Sequence, residues 1–161
     1  MTYYRLRYRY RRPMSTGRQA GLAAAAAVLA LGAGHVVTHH HGHIGAAPSG
    51  WARSFLAAAG DPRTSCDLGA VIAWQHAEGS NPAWRNPLDS TEPEPGSTPV
   101  NSDGVQAYTS RRQGLAATIT TLGNGRYSAI IAALSAGDDA QSVADAVSDS
   151  PWGTEPFGAS C

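Results

Sequence analysis

In the stretch "AWQHAEGSNPAWRNPLDST", residues 73–91, a glutamate ends an alanine-rich helical run, and an aspartate stands eleven residues beyond it. Helix C-termini favour cations, because their free carbonyls carry partial negative charge. Glu78 therefore occupies the unfavourable end. It lies one turn beyond Trp74 and two beyond Val71, on the border of an apolar stripe. The helix terminus, the indole neighbour and partial burial would each raise its pKa. A carboxyl that keeps its proton near neutrality is what a general acid needs to protonate a glycosidic oxygen. The structural alternative is a partly exposed glutamate with no task.

The residues that follow could complete such a site. Trp84 and Tyr108 offer flat faces for sugar rings, and Gln106 offers both donor and acceptor to an N-acetyl group or a hydroxyl. Asn86 and Asn101 offer further hydrogen bonds, although asparagine in such loops commonly completes its own turn. Each has a structural alternative: Trp84 as a loop plug, Tyr108 as core, Gln106 as a cap for the next helix. Hydrolysis by two carboxylates would need a partner for Glu78 about 5 Å away for retention, or about 6.5–9.5 Å for inversion. Asp89, Glu92, Glu94 and Asp103 are the candidates, while "DSTEPEP" reads most simply as a solvated acidic loop.

These groups must be positioned by short helices. "WARSFLAAAG" places Trp51, Phe55 and Leu56 at helical spacing and stops at Gly60. "DPRTSCDLGAVIAWQHAEG" opens on turn residues, with Thr64 or Ser65 as N-cap, and marks one face by Leu68, Val71, Ile72 and Gln75. Gly79 supplies the left-handed residue that ends this helix. Residues 79–104 show no sustained period and many prolines, a loop long enough to suspect function, with room for a small hairpin. Three more helices are predicted, with faces Leu115, Ile119 and Leu122, then Tyr127, Ile130, Ile131 and Leu134, then Val143 and Val147. Trp152, in the closing "PWGTEPFGASC", reads as packing. The expected fold is mainly α: about five short helices with a long cleft loop or small hairpin.

Charge divides the chain in two. Residues 1–47 hold six arginines and no acid; residues 48–161 hold six arginines against twelve acids, a net of about −6. The folded part lacks the basic patch that nucleic-acid binding requires, so no nucleic-acid partner is expected. Segment 1–18 reads as a basic cytoplasmic end, and 19–37 as a signal anchor or signal peptide. Within the latter, an apolar run of about 18 residues reaches from Ala20 to Val37. The domain 51–161 is then exported, held at the extracellular face of the membrane or secreted to the cell wall. Cleavage and retention stay open, as does oligomeric state. Segment 38–50 reads as a linker, and its histidines as a solvated spacer rather than a metal site. Two cysteines in an exported chain, Cys66 and Cys161, suggest one disulfide.

The ordered series "AEGSNPAWRNPLDST … NSDGVQAYTSRRQGLAATITTLGNGRYSAIIAALSAG … SPWGT" resembles the lysozyme-like domain of actinobacterial and actinophage cell-wall hydrolases, which is related to the lytic transglycosylases. The resemblance runs from about Asp67 to Thr154. It implies a lysozyme-like α(+β) fold, no cofactor and no metal, and cleavage of the MurNAc–GlcNAc β-1,4 bond of peptidoglycan strands. Glu78 maps onto the catalytic acid, and Gly104, Val105 and Gln106, with Tyr108 nearby, onto a turn that lines the sugar groove. There are departures. Gly79 intervenes before Ser80, the Gly-Val-Gln turn is one residue short, and Asp89 stands where asparagine is expected. Without a placed second carboxylate, Glu78 serves as acid and then base, and attack by the sugar's 6-hydroxyl leaves an anhydro end. The rival from another class is a non-catalytic wall-binding or structural module of a membrane-anchored apparatus. An amidase or endopeptidase is disfavoured, because His76 is the one histidine after residue 47 and both cysteines read as structural.

Overall fold

The first helix, α1 (Pro48–Ala59), begins with proline at a position where its missing N–H costs nothing. A computed structural model describes residues 48–161. The expectations for segments 1–18 and 19–37, and for residues 38–47 of the linker, lie outside the described residues. The last three residues assigned by composition to the linker form the first turn of α1 instead. Trp51, Phe55 and Leu56 are buried, as their spacing predicts.

Helix α2 (Ser65–Glu78) starts at Thr64, whose hydroxyl accepts from the Asp67 backbone N–H at 3.1 Å. It ends where Gly79 turns left-handed, at φ 61°, and returns its N–H to the Gln75 carbonyl. Its buried face differs from the predicted one. Asp67, Ala70, Val71 and Trp74 point inward, while Leu68 and Ile72 are half-buried at the edge of the core. The Trp74 indole is the largest apolar group on the helix. It sits at the centre, edge-on to both Phe55 (6.4 Å) and Trp152 (4.9 Å).

After α2 come a short 3-10 turn (Pro82–Trp84) and two minimal strands, β1 (Thr98–Pro99) and β2 (Gln106–Ala107). The strands pair antiparallel, with Thr98 opposite Ala107 and Pro99 opposite Gln106. Three helices close the domain: α3 (Arg111–Leu122), α4 (Ser128–Ala136) and α5 (Ala140–Ser148). Helix α2 packs against α1 and α5, α4 against α5, and α1 against α3. On α4, Ile130 and Leu134 are buried but Ile131 is 39% exposed, so the apolar stripe is narrower than its spacing predicts. The described residues are thus mainly helical with one short two-stranded ladder. Cys66 and Cys161 are joined in a disulfide, as expected, across a sequence separation of 95. That bond fastens the irregular tail, residues 149–161, to the first turn of α2.

Candidate active site

Glu78 is the last residue of α2 and enters a polar cleft of about 510 Å³. Asp89, Asn101, Asp103, Arg126 and Trp152 also line it. Two donors converge on one carboxylate oxygen. The Thr154 hydroxyl donates to Glu78 Oε1 at 2.6 Å, and the Trp74 indole N–H donates to the same atom at 2.9 Å. Among the described residues nothing donates to Oε2. One oxygen is held and the other accepts no bond from the described residues.

Burial pushes the Glu78 pKa above its ordinary 4.5, against the bonds from Thr154 and Trp74, which stabilise the charged form. The indole therefore acts opposite to expectation. It donates an N–H to the carboxylate and lowers the pKa, while the loss of water raises it. Asp89 is pushed from 3.8 to about 6, chiefly by burial and then by the charge of Glu78. The charge of Glu78 thus impedes the ionisation of Asp89.

The segment bearing Asp89 is held from behind. Asn86 is 1% exposed, and its side chain accepts from Ser90 N–H (2.9 Å) and donates to the carbonyls of Ser90 and Gln106 (2.8 Å each). The Ser90 and Thr121 hydroxyls bond at 2.9 Å, which ties the loop to α3. Close approach of α3 requires Gly114, since a Cβ there would collide with the Arg85 carbonyl and crowd the Tyr108 ring. Within this frame Asp89 adopts φ 50°, a left-handed conformation for which aspartate is among the more tolerant side chains.

The expected site residues separate into two groups. Glu78, Asp89 and Asn101 line the cleft. Asn101 also completes its own turn, accepting from Val105 N–H at 3.0 Å. Asn86, Gln106 and Tyr108 belong to the interior, contrary to the substrate-binding role expected of them. Asn86 is the clamp just described. Gln106 spends its amide on the Gly104 carbonyl and on the Ser97 hydroxyl. Tyr108 is 2% exposed and donates its hydroxyl to the Glu92 carbonyl at 2.8 Å, so no ring face is available to a sugar. Trp84 is half-buried on the 3-10 turn and is not among the cleft residues.

Two residues gain a place that sequence reasoning missed. Thr154 is buried against Glu78 and Trp74, with Trp74 Nε1 at 3.2 Å from its hydroxyl as well as 2.9 Å from the carboxylate. Its one signal was the late Trp-Gly-Thr of the resemblance, which carried no role. Trp152, read as packing, does pack on Trp74 and Tyr127, and donates its indole N–H to the Leu88 carbonyl, yet it also forms cleft wall. A separate depression of about 330 Å³ is lined by Gly79 and Ser80, which follow Glu78 in the chain, and by His76, Arg85 and Arg111. Among the described residues no group of His, Cys, Asp and Glu could hold a metal ion, and no helix is long and apolar enough to cross a membrane. Compared with protein-family models, with curated proteins and with solved structures, the chain has no match.

Proposed function

We propose that this domain is a lysozyme-like glycosidase that cleaves the MurNAc–GlcNAc β-1,4 bond of peptidoglycan strands, with Glu78 as general acid. One observation carries the reading. A carboxyl with a pKa raised by burial stands in a polar cleft, one oxygen fixed by Thr154 and Trp74 and the other unengaged. That is the arrangement an acid needs to deliver a proton to a leaving glycosidic oxygen from a fixed direction. The cleft volume falls in the range of small-ligand sites. Its mixed polar lining suits hydroxyl and N-acetyl groups. Hydrolysis and lytic transglycosylation both begin with this protonation. The ordered motif series around Glu78 supports the substrate class, and the disulfide is compatible with the exported setting that the reading requires.

The test is release of muropeptides from purified peptidoglycan by the full chain with its disulfide intact, read by mass. Wild type releases fragments, and Glu78→Gln lowers turnover by roughly 100- to 10,000-fold, the usual share of a general acid, while it stays folded. Glycan binding without release by a folded wild type would make the domain a wall-binding module.

A further inference from the structure

We propose that Asp89 is the second catalytic carboxyl of this cleft, taking a proton from the attacking water while Glu78 protonates the leaving oxygen, so that the strand is cut by hydrolysis. The proposal rests on the glycosidase reading above and decides between its two chemistries.

Four acids in the loop could face Glu78, and geometry separates them. Glu92 and Glu94 are not among the cleft residues. Asp103 lines the cleft but is exposed. Asp89 lines the cleft with Glu78 and is placed by its backbone as well as its side chain. Its left-handed φ of 50° sits one residue before the Ser90 N–H and C=O that the buried Asn86 clamps. Strained positions that the surroundings over-determine are common at working sites. Asp89 Oδ1 is buried and has no hydrogen-bond partner among the described residues. A buried acceptor without a donor costs the fold stability, and each such group needs an explanation. Asp89 Oδ2 likewise accepts no bond among the described residues but is not buried, and it is the oxygen left to take a proton from a water in the cleft.

The charged and titratable groups around the cleft are Glu78, Asp89, Asp103, Arg126 and Tyr127. The charge that acts on Asp89 is that of Glu78. With Glu78 charged, Asp89 keeps its proton until pH rises through about 6. The reactive form has that proton on Glu78 and the charge on Asp89. The form with the proton on Asp89 has the same total charge and titrates with it.

The step balances without a cofactor. Water oxygen forms the new bond to the anomeric carbon as the old carbon–oxygen bond breaks. The leaving oxygen takes the proton of Glu78 and the water gives one to Asp89. Solvent then carries one proton from Asp89 back to Glu78.

The test uses the full chain, disulfide intact, on purified peptidoglycan. Wild type is expected to give hydrated, reducing-end muropeptides, with kcat/KM falling above about pH 6. Asp89→Asn, which the left-handed backbone accepts, lowers turnover by at least ~100-fold and leaves binding of glycan fragments unchanged. Asp89→Gly, also compatible with that backbone, recovers turnover with sodium azide and yields a glycosyl azide. Anhydro products from wild type, an Asp89→Asn protein as fast as wild type, or a folded Asp89→Gly protein that azide does not rescue would each overturn the role of Asp89. All three leave Glu78 as the acid, provided Glu78→Gln is inactive. Absence of release by wild type would overturn the glycosidase reading itself, and this proposal with it.

Discussion

Asn86 and Asp89 stand three residues apart on opposite faces of one loop. The inner face is closed: Asn86 is buried, and its amide makes three hydrogen bonds to the backbone of Ser90 and Gln106. The cleft face is open: Asp89 has a buried oxygen with no partner among the described residues and a neighbouring carboxyl that opposes its charge. Fully paired buried polar groups hold a fold in one arrangement, whereas unpaired ones cost stability and are retained where chemistry uses them. On this view the loop is a rigid mount for an unfavourable residue.

The largest break of the comparison comes from the inner face. Asn86→Ala strands the Ser90 N–H and takes a donor from the Gln106 carbonyl and from the Ser90 carbonyl, which keeps the Gln106 N–H at 3.2 Å, at a cost of about 3 kcal/mol, a Tm lower by roughly 10–15 °C in thermal denaturation. Activity lost at working temperature should return on cooling, because the cleft groups are intact.

Asp89→Asn should do the reverse. The folded value of about 6 lies above the ordinary 3.8, so the folded state binds this proton more tightly than the unfolded one. Its stability contribution is therefore lost as pH rises between these values, and the penalty persists above them. Removing the charge raises Tm by a few degrees at pH 8 and leaves it unchanged near pH 4. A Tm that falls at pH 8 would mean that Asp89 is structural, like Asn86. A variant that is more stable and inactive would set the two faces apart.

The smallest effect sharpens the electrostatics. Thr154→Val removes a hydrogen bond that lowers the Glu78 pKa. The alkaline limb of the pH–rate profile should move up by a fraction of a unit, whereas Thr154→Ser should leave it in place.

Much of this was legible in local chemistry. A capping threonine, a terminal glycine and the spacing of Trp51, Phe55 and Leu56 are short-range signals, and the helices that they predict are present. Glu78 was visible because a carboxylate at a helix C-terminus runs against the macrodipole. The loop was harder to read. Asn86, Gln106 and Tyr108 have the side chains of a sugar site, and type alone does not say whether their hydrogen bonds turn inward to backbone or outward to ligand. Thr154 was illegible for another reason: it meets Glu78 across a sequence separation of 76, through a tail with no periodicity to place it. The rotation of α2 toward Trp74 likewise depends on what Phe55 and Trp152 leave room for, which no single helix reveals.

The disulfide has a consequence for proteolysis. Glu78, Asp89 and Thr154 all lie between Cys66 and Cys161, as does the proline-rich stretch around residues 93–99, much of it exposed to a protease. A single cut there leaves two pieces still joined by one covalent bond, with the α2 glutamate on one and its threonine partner on the other. The nicked protein keeps both halves of its candidate site until a reductant releases them.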